Sequence, residues 1–169
     1  MAKIQFAKKQ LFCGVKKKNT TIKLCDINEG IVVCGLPIVS IEIKGKTCYF
    51  LLDTGAQNNG VSDGSPEAMA GFQPSKYVQQ HIGFDGHAKF TPLGSLTYEL
   101  AGNSFEEQVM VIPGNTFSGM GQEAGIQISG LLGMPFMVKH NCVLDFEKGI
   151  VSATITEEND NNENEVKAA

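Results

Sequence analysis

The sequence predicts an all-β chain that folds as a small closed or partly closed barrel with one or two short helices. Three observations carry this expectation. Nineteen of the 169 residues are glycine, and they cut the apolar segments into short runs that favour turns and strands over long helices. Val39, Ile41 and Ile43 alternate with Ser40 and Glu42, the two-residue period of a half-buried strand. Cys48 to Leu52 is a continuous apolar run, as expected of a strand buried on both faces. The length suits one domain and is too small for two full lobes.

Residues 1–30 read as short strands, interrupted at Lys16–Asn19 and again at Asn28–Gly30. Pro37–Ile43 and Cys48–Leu52 form a hairpin around the tight turn Lys44–Gly45–Lys46. That hairpin delivers a polar loop, Asp53–Thr54–Gly55–Ala56, at the end of a buried strand. Ser65 before Pro66 is an N-cap with proline at the first helical position, so a short helix should run to about Gly71. A further helical turn is expected near Ser75–Gln80. His81 to Pro92 reads as a hairpin with its tip at Gly83, Phe84, Asp85 and Gly86, because Asp-Gly is a strong turn signal. Ser95–Leu100 and Phe105–Ile112 read as strands joined at Gly102–Asn103, and Pro113–Gly125 as a glycine-rich loop. Ile126–Leu132 is an apolar strand, Met134–His140 one or two helical turns, and Cys142–Phe146 with Ile150–Ile155 a last hairpin. The chain therefore divides into a basic N-terminal extension (1–30), a body (31–155) and an acidic tail (156–169) expected to be disordered.

Charge is unevenly placed. All 14 basic residues are lysine, and seven of them precede the first acid, Asp26. The tail carries five acids against Lys167, which accounts for the whole net charge of −4 and leaves the rest neutral. A neutral body without arginine is a poor reader of bases, so no nucleic-acid partner is expected. No apolar stretch is long enough for a membrane helix, and no secretory signal is visible at the N-terminus. The odd set Cys13, Cys25, Cys34, Cys48 and Cys142 has no C-x-x-C pair, so neither a zinc site nor a closed disulfide framework is expected. Reduced, mostly buried thiols in a cytoplasmic protein are the expectation. His81, His87 and His140 lack ligand spacing, and no Gly-x-Ser-x-Gly is present. No metal or cofactor is expected.

Asp53 is the chemically informative residue. A carboxylate that follows five apolar residues is costly unless compensated. Thr54 and Gly55 suit that compensation, because a hydroxyl and unobstructed N–H groups can bond a carboxylate. Asp-Thr-Gly alone is weak: with Ser allowed for Thr, it arises by chance in roughly one chain in ten of this length.

Its surroundings make it specific. Phe50–Leu51–Leu52–Asp53–Thr54–Gly55–Ala56 resembles the active-site loop of retropepsin-like aspartic proteases. Downstream, Gly130, Leu131, Leu132 and Gly133 resemble the strand that passes beneath that loop in the family. Met134 to Asp145, with His140–Asn141–Cys142–Val143–Leu144–Asp145, looks like the protease domain of DNA-damage-inducible ubiquitin-shuttle proteins, and Gln57 points the same way. The resemblance covers about Leu36 to Ile155. Gln57–Asn58–Asn59–Gly60 is more polar than the family pattern, and Met134–Pro135 replaces the commoner aliphatic-Asp. No ubiquitin-like segment fits in residues 1–30, so a shuttle role is not carried over.

The resemblance implies an acid-protease barrel, Asp53 as the catalytic residue, and Thr54, Gly55 and Ala56 as its support. It implies a flap at Gly83, Phe84, Asp85 and Gly86 over an extended polypeptide substrate. The chain has one Asp-Thr/Ser-Gly, whereas aspartic hydrolysis needs two carboxylates sharing a proton. An active enzyme is therefore expected as a homodimer with Asp53 and its mate on the two-fold axis. The alternative is a non-catalytic module of the same fold that binds peptides or scaffolds an assembly.

Overall fold

The computed structural model describes residues 18–27, 30–32, 35–82, 88–122 and 125–157. Strands dominate it. In chain order the elements are β1 (Lys18–Asp26), β2 (Ile38–Ile43), β3 (Lys46–Leu52), β4 (Gly60–Ser62) and α1 (Pro66–Met69). Then come β5 (Phe72–Ile82), β6 (Ala88–Leu100), β7 (Asn103–Ile112), β8 (Ile128–Leu132), α2 (Met134–Lys139), β9 (Val143–Asp145) and β10 (Ile150–Glu157).

Six strands close a barrel in the order β2-β3-β8-β4-β7-β6, and the Glu42–Glu99 pairing of β2 with β6 completes the circuit. The β3–β8 and β4–β7 pairs are parallel, and the others are antiparallel. β5 extends the sheet outward from β6 as a long ribbon. A second sheet, β1-β10-β9, joins the last hairpin to residues 18–26 of the basic extension.

The β2–β3 hairpin forms for local reasons. Lys44 and Gly45 both take positive φ (49° and 74°), as the tight turns that match strand twist require. Ile43 then pairs with Lys46, and the register runs back to Ile38 opposite Leu51. Val39, Ile41 and Ile43 are buried while Ser40 and Glu42 are exposed, as the alternation predicts. Each such aliphatic side chain contributes about 1.5–3 kcal/mol through burial. On β3 the apolar run serves two cores. Cys48, Phe50 and Leu52 fill the barrel, and Leu51 packs in a second cluster with Ile38, Ile112, Phe117 and Ile128.

Ser65 caps α1, its hydroxyl accepting from the Ala68 amide, with Pro66 opening the helix as expected. The expected helical turn at Ser75–Gln80 is corrected: those residues lie within β5. Their side chains are largely exposed and carry no apolar period of either kind; Val78–Gln80 pair with Phe90–Pro92 of β6, and the ladder is irregular between Pro74 and Val78. The expected break at Lys16–Asn19 is also corrected in part, because β1 begins at Lys18 and runs on without interruption to Asp26. β6 likewise continues from the ribbon arm into the barrel as one strand, where two segments were expected. Ala101–Gly102, not Gly102–Asn103, is the turn to β7, with φ of 52° and 73°. Residues 158–169 of the acidic tail lie outside the described residues, and β10 extends to Glu157.

Gly130 is required by packing. A Cβ there would lie 2.4 Å from the Gly60 carbonyl oxygen and 2.4 Å from the Phe50 ring. The carbonyl belongs to a paired strand and cannot move aside. Gly130→Ala is expected to cost about 1–3 kcal/mol, read as a lower urea midpoint at unchanged m-value.

Candidate active site

The strand order determines the site's geometry. β3 and β4 are consecutive in sequence, yet β8 lies between them. β8 runs parallel to β3 and antiparallel to β4, so Leu52, Leu132 and Gly60 all lie at one end of the barrel. Residues 53–59 must therefore arch over the end of β8, and the chain leaves β8 beneath that arch at Gly133. The fit is close: a Cβ on Gly133 would lie 2.5 Å from the Asn58 carbonyl oxygen and 2.7 Å from that of Ala56.

Hydrogen bonds seat the loop on β8 and α2. The Asp53 amide donates to the Leu132 carbonyl (3.1 Å), and the Met134 amide donates to the Ala56 carbonyl (2.9 Å). The second bond satisfies a free N–H at the start of α2, where Gly133 offers no side-chain cap. Within the loop, the Ala56 amide donates to the Asp53 carbonyl (3.1 Å), and the Gly55 amide donates to Asp53 Oδ1 (2.8 Å). The carboxylate is thus oriented by its own loop while remaining half-buried, and Thr54 and Gly55 are exposed beside it.

The residues expected together are together. Asp53, Thr54, Gly55 and Ala56 form the arch, and Gly130, Leu131, Leu132 and Gly133 run beneath it, with Leu51 opposite Leu131 and Leu52 opposite Leu132. The proposed tip residues Gly83, Phe84, Asp85 and Gly86, and His87, lie outside the described residues. The arms of that hairpin are in place, with Ile82 opposite Ala88 and Gln80 opposite Phe90. One arm is tied to the loop, because Gln79 Nε2 donates to Asn58 Oδ1 at 2.9 Å.

Asn59 is a site residue that the sequence reading missed. Its side chain is 2% exposed; Oδ1 accepts from the Gly133 amide (2.9 Å) and Nδ2 donates to the Gln108 carbonyl (3.2 Å). One amide thus pins the arch to β8 and β7. Its only sequence signal is a polar residue two positions before the apolar anchor Val61. A cavity of about 260 Å³ is lined in part by Asn58, Asn59, Gln79 and Pro135, and Asp53 is not among its lining residues.

A second missed group surrounds Glu107. Its side chain is 3% exposed, and Oε1 lies 2.9 Å from Lys139 Nζ and 2.7 Å from His140 Nε2. Lys139 also donates to the Glu106 carbonyl (2.8 Å). The His140 ring packs against Phe105 and Phe136, with centroids at 5.0 and 4.9 Å. Burial, reinforced by Glu107, pushes the Cys142 thiol up to about 11. The same two causes raise the Tyr98 hydroxyl well above its ordinary value. Cys142 is therefore a protonated, inert thiol at neutral pH.

No family model matches the chain, and no curated protein matches it.

Two outcomes follow from this geometry. Asn59→Ala orphans the Gly133 amide and the Gln108 carbonyl, at about 1–3 kcal/mol for each partner left unpaired; equilibrium denaturation measures the loss. The raised Cys142 thiol makes stability pH-dependent. The unfolded thiol ionises near its ordinary value of 9.0 while the folded one keeps its proton to about 11. The unfolded state then binds fewer protons, so stability falls as pH rises from about 9 to about 11. Cys142→Ala should flatten that part of the stability–pH curve.

Proposed function

We propose that the chain is an aspartic endopeptidase of the retropepsin type, active as a homodimer on extended polypeptides. The observation that carries this reading is the Asp53 arch. A carboxylate stands at the mouth of a closed barrel, oriented by the Gly55 amide and seated from behind on β8. Thr54 and Gly55 are exposed next to it, where a second copy can approach. The resemblance of the Asp53–Ala56 and Gly130–Gly133 segments to the retropepsin-like family supports the same conclusion.

In this reading the two Asp53 carboxylates, one from each protomer, share a proton and hold a water between them. One takes a proton from the water as it attacks the peptide carbonyl, and the other gives a proton to the carbonyl oxygen. The β5–β6 ribbon is tied to the arch through Gln79 and Asn58, and in this reading its hairpin admits substrate as an added strand.

Asp53→Asn is nearly isosteric and removes the shared proton. Peptide-library digestion should then fall below about 1% of wild type, more than ~2.7 kcal/mol of barrier, with the fold retained by circular dichroism. Wild-type activity should follow a bell-shaped kcat/KM profile with an acidic to weakly acidic optimum, since adding a second proton or losing the shared one both stop the reaction. Sedimentation alongside the assay tests the stoichiometry: a fully active monomer would refute a mechanism with one Asp per chain.

A further inference from the structure

We infer that Glu107 is a positioning residue for the Asp53 arch, acting through α2. The inference rests on the endopeptidase reading for its kinetic consequence, and on the fold alone for its structural one. Phe105, Glu107 and Val109 occupy the same inward row of β7, at 5%, 3% and 1% exposure. A carboxylate in such a row is costly, and a packed apolar residue in its place is often neutral or stabilising. Fold stability therefore does not require a charge at position 107.

What the charge holds is α2. This helix has six residues, far too few to persist without tertiary contacts. Its N-cap residue and its first helical residue carry the two amides that support the arch, Gly133 to Asn59 Oδ1 and Met134 to the Ala56 carbonyl. Its C-terminal end carries Lys139 and His140, both of which converge on Glu107 Oε1. His140 is fixed from its other faces by Phe105, by Phe136 and by its carbonyl, which accepts from the Thr154 amide at 2.8 Å. Glu107 thus sets the axial position of α2 against β7, and the helix transmits that position to the arch. Small misplacements of a reacting group carry large rate penalties.

The test compares Glu107→Gln with Ile43→Ala, a core substitution at the far end of the β2–β3 hairpin, both assayed at a temperature where each is folded. For Glu107→Gln, kcat should fall about tenfold or more with KM within about twofold. Amide exchange at Gly133 and Met134, followed by NMR, should accelerate while the β2–β3 amides stay protected. Lys139→Arg, which keeps a charged donor on Glu107, should retain most of kcat. Ile43→Ala should lower Tm without altering kcat or the exchange at Gly133. The inference is overturned if Glu107→Gln leaves exchange at Gly133 and Met134 unchanged, or if Ile43→Ala reproduces its kinetic loss. If the wild-type protein cleaves no peptide, the endopeptidase reading fails, and the exchange comparison still decides the role of Glu107.

Discussion

The site depends on the passage of β8 between two strands that are neighbours in sequence. Because β8 is inserted between β3 and β4, the connection from Leu52 to Gly60 has no free path along the sheet and must cross the end of a third strand. Two backbones then lie closer than side chains allow. Gly133 accommodates that contact beneath the arch, and Gly130, three residues earlier in β8, accommodates its counterpart against Phe50 and the Gly60 carbonyl. The outward-facing, half-buried position of Asp53 is a consequence of this arrangement, since an arch over a strand end turns its crown outward.

Rigidity at the site comes from behind. The front of the arch is open, with Thr54 and Gly55 exposed, whereas the back is fixed by backbone bonds to Leu132 and Met134 and by the buried Asn59 amide. Loops of this kind lose conformational freedom through such bonds, and a carboxylate oriented in advance has less to reorganise when it reacts. The ribbon is held differently. β5 and β6 expose Tyr77, Val78 and Phe90, and the Gln79–Asn58 bond ties the β5 arm to the arch. The scaffold beneath Asp53 is therefore densely packed, whereas the β5 arm is joined to the arch by a bond between side-chain amides.

Much of this was legible before the structure. The alternation of Val39, Ile41 and Ile43, the Lys44–Gly45 turn and the Ser65–Pro66 helix start are short-range signals, and each appears where the residues placed it. The Asp53 loop was legible because a carboxylate after an apolar run has few inexpensive structural roles. The helical turn expected at Ser75–Gln80 failed because an exposed ribbon has no core face, and so no period to display. Asn59 and Glu107 were not legible for the opposite reason. Each is a polar residue made necessary by a distant partner, and the Asn59–Gly133 bond joins residues 74 positions apart.

By itself, the sequence determined most of the barrel strands, the Lys44–Gly45 turn between β2 and β3, and that the chain carries a single Asp-Thr-Gly loop. Those properties follow from backbone preferences and from the face each side chain presents, which neighbours within a few residues decide. Only the tertiary structure decided the order of strands around the barrel, the seating of the arch on β8, and the burial of Asn59 and Glu107. Strand order sets which polar groups lose water together, and desolvation makes a hydrogen bond or an ion pair between remote residues obligatory. No local pattern records that requirement, because it exists only once the barrel has closed.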